Sequence, residues 1–89
     1  MHHAVINADV KVGENCIINT SAIIEHGTNI NNHCQISPGT IINGGCDVGE
    51  GTFIGSGCVI KEGIKIGKNC FIGMNKSLTK NLPDNSKFK

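Results

Sequence analysis

From Ile6 to Leu78 every sixth residue is aliphatic: Ile6, Val12, Ile18, Ile24, Ile30, Ile36, Ile42, Val48, Ile54, Ile60, Ile66, Ile72 and Leu78. Ile, Val and Leu fill 21 of the 89 positions. Thirteen consecutive hits by chance have odds of roughly one in 10⁸, and a fixed period of this strictness marks a repeat architecture. Six residues suit one flat side of a triangular parallel β-helix, so three hexads make an 18-residue coil with residue n beneath residue n+18. An α-helix fails on both counts: the period throws the apolar residues out of phase, and twelve glycines would melt it.

The register never breaks between residues 6 and 78, so the expected fold is all-β, four to five triangular coils with no inserted loop. At about 4.8 Å per coil such a prism stands about 20 Å tall. Residues 1–78 form the β-helix. Residues 79–89 read as a C-terminal tail, with Lys76 breaking the repeat and Pro83-Asp84 forming a turn that ends the solenoid. The residue just after each aliphatic is often Gly (Gly13, Gly49, Gly55, Gly67, Gly73) or Asn (Asn7, Asn19, Asn31, Asn43). Both tolerate positive φ, which places the expected corner there.

Composition narrows the function classes. With three Phe, no Trp and no Tyr, the core must be stacked from small and β-branched side chains. A net charge of +1 and the lack of a basic–aromatic pattern argue against nucleic acid or an anionic membrane as partner. No apolar run approaches a membrane span and no signal peptide opens the chain, so the expected location is the cytoplasm. A compact domain of this length is marginal alone, and a β-helix exposes strand edges at its ends. A three-sided prism relieves both by packing as a homotrimer.

Cys16, Cys34, Cys46, Cys58 and Cys70 all stand two residues before an aliphatic position. Elsewhere that slot holds Ala4, Val10, Ala22, Thr28, Thr40, Thr52 and Ile64, so it reads as small and apolar-tolerant, and the cysteines as buried, reduced thiols. Only Cys16 and Cys34 stack one coil apart, within reach of a disulfide. No C-x-x-C spacing occurs, and no metal site is expected.

The hexads resemble the bacterial hexapeptide-repeat transferases, whose pattern is aliphatic–Gly–x–x–small–x and whose β-helix is left-handed. Cys16–Gly45 (CIINTSAIIEHGTNINNHCQISPGTIINGG) is similar to the sialic-acid and bacillosamine-type sugar acetyltransferases, through its INT-x-AxIEH and ISPG strings; Leu78–Ser86 (LTKNLPDNS) echoes the usual end of such helices. The resemblance implies acetyl-CoA as acyl donor, a sugar or nucleotide-sugar amine or hydroxyl as acceptor, and sites between subunits of a trimer. It places the general base at His26, in keeping with the ability of imidazole to take a proton at neutral pH. Ala8 one coil below and Gly44 one coil above leave a hollow strip for that ring. The matched cofactor positions are Gln35, Gly44, Ser56 and Met74, with Gly55 and Gly73 beside the last two; a missing Cβ lets a narrow pantetheine arm approach the backbone. His33 reads as a solvated surface residue, and His2 and His3 as terminal.

Two departures bear on activity. The resembling enzymes usually carry an acidic residue after the His, where this chain has Gly27. Glu25 precedes His26, but neighbours on an extended segment point to opposite faces. Such enzymes also usually carry an N-terminal nucleotide-sugar-binding α/β domain and a G-x-P-A-K-like end, so the expectation is either a fragment of a longer product or a minimal stand-alone helix. Two other functions compete. A non-catalytic assembly module is favoured by Gly27. A zinc-holding carbonic anhydrase of the same repeat type needs three histidines in set places, and this chain has none after His33.

Overall fold

A computed structural model describes residues 4–89, and every strand in it is two residues long. Three parallel sheets form the three faces of a left-handed prism. The first face stacks β1 (Val5–Ile6), β4 (Ile23–Ile24), β7 (Ile41–Ile42), β10 (Val59–Ile60) and β13 (Ser77–Leu78). The second stacks β2 (Lys11–Val12), β5 (Asn29–Ile30), β8 (Asp47–Val48) and β11 (Lys65–Ile66). The third stacks β3 (Ile17–Ile18), β6 (Gln35–Ile36), β9 (Phe53–Ile54), β12 (Phe71–Ile72) and β14 (Lys87–Phe88). Pairing up to Leu78 follows an 18-residue register, as in Ile24 with Ile42 and Ile42 with Ile60. About five coils give overall dimensions of 30 × 23 × 22 Å.

The aliphatic at each sixth position points into the prism. Ile24, Ile36, Ile42, Val48, Ile54, Ile60 and Ile72 are wholly buried, forming the centre of a single continuous core. Among the described residues no coil lies beneath the first, and Ile6 and Val12 are 48% and 40% exposed although they hold the same inward slot. The strand residue before each aliphatic points outward. On the first face that outer column is Val5, Ile23, Ile41, Val59 and Ser77, whereas on the second it is Lys11, Asn29, Asp47 and Lys65.

Three sequence expectations need correction. Positive φ falls on the third residue after each aliphatic, not the first: Asp9, Asn15, Ser21, Gly27, His33, Gly39, Gly45, Gly51, Gly57, Gly63, Asn69, Asn75 and Asn85. The first residue after the aliphatic is Gly for a different reason. A Cβ on Gly55 would sit 2.7 Å from the Met74 nitrogen and 2.8 Å from the Gly73 carbonyl carbon, so the next coil leaves no space. Where Asn takes this slot its side chain ties the coils together: Asn31 and Asn43 Nδ2 donate to the carbonyls of Val48 (2.8 Å) and Ile60 (2.9 Å).

The slot two residues before the aliphatic is small, but it also selects a hydrogen-bond donor. Thr40 and Thr52 hydroxyls donate to the carbonyls of Gly55 (3.0 Å) and Gly67 (2.9 Å) in the coil above. Cys34, Cys46 and Cys58 thiols do the same to Gly49, Lys61 and Gly73, at 3.0–3.1 Å. A donor here gives each of these carbonyls a partner in the neighbouring coil. All five cysteines are free, Cys16 and Cys34 included.

The segment after Leu78 continues the coil instead of leaving it. Leu82 bridges Ile66, and β14 pairs with β12 through Phe71–Lys87 and Ile72–Phe88. These partners are 16 apart, so the fifth coil closes with two residues fewer. The turn after Pro83 forms at Asp84-Asn85, yet it is one more corner of the prism. His2 and His3 lie outside the described residues.

Candidate functional site

His26 and Gly27 make the exposed turn that joins the first face to the second. Gly27 adopts φ +76°, where a residue without Cβ is unstrained. Gly44 occupies the position above His26. A Cβ on Gly44 would lie 3.8 Å from His26 Cε1 and 3.9 Å from Nδ1, so the imidazole rests against a bare stretch of backbone. The Gly44 side of the strip expected from the sequence is thus free of side chain beside the ring. The His26 carbonyl is engaged, accepting from the Gly45 N–H at 3.1 Å.

The Gly44 N–H has no partner among the described residues. At the corner between second and third faces two equivalent amides, those of Glu14 and Lys68, each donate, at 2.8 Å, to Asn32 Oδ1 and Asp84 Oδ1 one coil up, whereas those of Asn32 and Glu50 have no partner among the described residues, like that of Gly44. At the His26 corner no short polar side chain does this. Glu25 is engaged one coil below, its Oε1 accepting from Asn7 Nδ2 at 2.7 Å. With Gly27 in the next position, the neighbours of His26 in sequence offer it no free carboxylate.

The other matched positions lie elsewhere on the prism. Gln35 points outward from the third face, between Ile17 below and Phe53 above. Gly55, Ser56, Gly73 and Met74 form the corner between the third and first faces, where Gly55 is buried and Met74 is 67% exposed. His26 and Gly44 on one side, and Ser56 and Met74 on the other, are thus separated by the whole first face. A single chain brings together two groups and keeps them apart.

Sequence reasoning missed the aromatic column beside Gln35. Phe53 and Phe71 stack on the outer surface of the third face with ring centroids 5.2 Å apart and planes 11° from parallel. The sequence signal is their shared outward slot, 18 residues or one coil apart. Among the described residues no group of three His, Cys, Asp or Glu could hold a metal ion, and no helix is long and apolar enough to cross a membrane.

Residues 27–62 match the family model for the bacterial transferase hexapeptide (six repeats), and residues 47–80 match that for the hexapeptide repeat of succinyl-transferase. No curated protein matches the chain. Solved structures do. The acetyltransferase domain of PglB from Neisseria gonorrhoeae, in complex with acetyl coenzyme A, is 17% identical with a TM-score of 0.71, over 94% of this chain and 50% of that one. A mutant of perosamine N-acetyltransferase from Caulobacter crescentus, in complex with CoA and GDP-perosamine, is 26% identical with a TM-score of 0.65, over 91% and 47%. A serine acetyltransferase in complex with cysteine is 24% identical with a TM-score of 0.88, over 94% and 37%. The chain therefore spans half or less of the length of these structures. Its two family matches together run from residue 27 to residue 80, and over that stretch the chain carries hexapeptide repeats similar to those of the bacterial transferases.

Proposed function

We propose that this chain is the catalytic β-helix of an acetyltransferase that moves an acetyl group from acetyl-CoA to an amine or hydroxyl of a sugar or nucleotide sugar. The observation that carries this reading is the pairing of His26 with an unpartnered amide on Gly44. His26 takes the proton from the acceptor as its nitrogen or oxygen attacks the thioester carbonyl carbon. The Gly44 N–H donates to the carbonyl oxygen as negative charge develops there, the arrangement that contributes most to acyl transfer in general. When the C–S bond breaks, His26 returns the proton to the departing sulfur, so charge and protons balance.

The two separated groups of matched residues support a site shared between copies. The outer column of the first face is aliphatic through its first four coils, with Val5 48% and Val59 39% exposed, and ends in Ser77. Three copies packed with these faces around a common axis set the His26 corner of one against the Ser56–Met74 corner of the next. The cleft between them is walled by the third face carrying Gln35, where the acyl donor lies. The comparison structures bound to acetyl coenzyme A, and to CoA with GDP-perosamine, support the donor and the acceptor class. Five free cysteines fit a reducing compartment, and we place the protein in the cytoplasm.

The test is thiol release from acetyl-CoA in the presence of amino sugars and nucleotide amino sugars. His26→Ala is expected to lower the rate by ~10²–10⁴-fold with an unchanged melting temperature, since the ring is exposed. A second reading, a non-catalytic assembly module, is favoured by Gly27. It predicts no thiol release above background for either protein.

A further inference from the structure

A hollow of about 800 Å³ runs along the edge of the second face that meets the third, from Asn31 and Asn32 up to Asp84. His26 stands at the opposite edge of that face. A second hollow of about 460 Å³ begins at Lys11 and shares Asn31, Asn32 and Asp47 with the first, so the two form one groove. From Asn32 to Asp84 the groove crosses three coil steps, about 15 Å at about 4.8 Å per coil. Gly49 and Gly67 line it with bare backbone.

The polar groups of this groove are braced, and donors alternate with acceptors. Asp47 Oδ1 accepts from Asn31 Nδ2 at 3.1 Å. Asn81 Oδ1 and Asp84 Oδ1 accept from the N–H groups of Lys65 and Lys68, both at 2.8 Å. Each bond fixes one end of a planar group and leaves its other polar atom (Asp47 Oδ2, Asn81 Nδ2 or Asp84 Oδ2) without a partner among the described residues. Three carboxylates, of Asp47, Glu50 and Asp84, are balanced by three ammonium groups, of Lys11, Lys65 and Lys68. A ligand with net charge of either sign gains from one set and is repelled by the other. A hydroxyl donates and accepts at once, so it bonds to both. A peptide main chain finds nothing to pair with here. The N–H groups of Asn29, Asn31, Asp47, Gly49 and Gly67 are already spent on the coil above, which closes this face to strand addition.

We propose that this groove binds a neutral, linear carbohydrate chain lying along the prism axis. An extended chain of pyranose rings advances by about one coil height per ring, so the stretch of about 15 Å takes about three rings. Successive rings then meet equivalent positions: Asp47, Lys65 and Asn81 on one side, Glu50, Lys68 and Asp84 on the other. The groove and the His26 ring occupy opposite edges of the second face, so this inference goes beyond the transferase reading and does not depend on it. Because the groove is open and each ring hydroxyl exchanges a bond to water for one to protein, the expected affinity is millimolar.

Titration of the full, isotope-labelled chain with cellotriose, followed by backbone amide NMR shifts, tests this with no acyl donor present. Glucose, trigalacturonic acid and an end-blocked triserine peptide are the single-ring, anionic and polypeptide comparisons. Cellotriose is expected to bind about tenfold or more tightly than each of the three, and to change little as salt is raised. The shifts should centre on Gly49, Glu50, Gly67 and Lys68 and leave Gly27 and Gly45 unmoved. Asp47→Ala with Glu50→Ala, and separately Lys65→Ala with Lys68→Ala, should each weaken binding about fivefold or more. Lys61→Ala, at the other edge of the face, should leave it unchanged. Glu50, Lys65 and Lys68 are exposed, so circular dichroism is expected to report intact folding, for the lysine pair above all. No shift at tens of millimolar cellotriose would overturn the proposal. So would equal or tighter binding of the anionic trimer or the peptide, shifts centred on another face, or unaltered affinity in both double variants. Absence of thiol release alongside cellotriose binding would instead count against the transferase reading alone.

Discussion

With His26 as the proposed base, Gly27 is the residue on which catalytic strength would turn. Glu25 is held by Asn7, so no carboxylate adjacent in sequence steadies the His26 ring. The backbone would accept one. A Cβ on Gly27 meets nothing nearer than 3.7 Å, and Asp9 already adopts φ 60° at the same corner one coil below. Gly27→Asp is therefore expected to fold and to raise the acetyl-transfer rate about tenfold, a share of the ~10²–10⁴ that a well-placed base contributes. A Gly27→Asn variant separates charge from shape: the same fit without the gain locates the effect in the carboxylate.

The inward thiols make a second prediction at this scale. Burial is the main cause that raises the Cys34 and Cys46 thiols above their ordinary value of 9.0, outweighing the backbone hydrogen bonds that lower them. The folded state therefore favours the neutral thiol, and the stability this provides is complete below pH 9.0. As pH rises further the unfolded chain loses protons first, so stability falls, by at most about 1.4 kcal/mol per pH unit for each thiol. Urea melts between pH 8 and pH 11 check the slope. Cys34→Thr with Cys46→Thr should flatten it, because Thr28, Thr40 and Thr52 already fill the same slot as donors that do not titrate. Cys46→Val should instead cost about 1–3 kcal/mol by leaving the Lys61 carbonyl unpaired.

At the level of the hexad, the inward aliphatic was legible because nothing else can fill the axis of so narrow a prism. The corner was harder to read. Gly and Asn crowd both the first and the third place after the aliphatic, and only the backbone angles show that the two glycines do different work. One supplies positive φ; the other makes room for the neighbouring coil. The difference is measurable. Gly55→Ala drives a Cβ into the Met74 and Gly73 backbone and should cost about 1–3 kcal/mol, whereas Gly63→Asn meets open space. Asn69 and Asn75 take the same conformation at φ 54° and 57°, so this second change should stay within about 0.5 kcal/mol in thermal or urea melts. The end of the repeat misled for a simpler reason. Counting in sixes stops at Leu78, but a coil shortened by two residues still sets Leu82 and Phe88 in line with Ile66 and Ile72. Handedness has no trace in the period at all and entered through the resemblance.

At the scale of the whole molecule, the candidate site was legible as a set of residues but not as a place. Sequence counting joins His26 to Ser56 and Met74; the prism puts them on corners at opposite edges of one face, in a cross-section of 23 × 22 Å. If the site forms where the corner of one copy meets that of another, damage at the two corners is complementable. His26→Ala removes the base, and Met74→Glu sets a carboxylate against the path of an anionic donor; Met74 is 67% exposed, so the fold should tolerate it. Each variant alone is expected to be inactive in thiol release. Unfolding and refolding them together as an equimolar mixture should yield mixed trimers. Random assembly makes about one junction in four from two undamaged corners, so about a quarter of the parent activity should return. Sedimentation would show a mass of three chains for both variants and for the mixture. A site contained in one chain, or a protein that stays monomeric, would give no recovery, because every chain in the mixture carries one damaged corner.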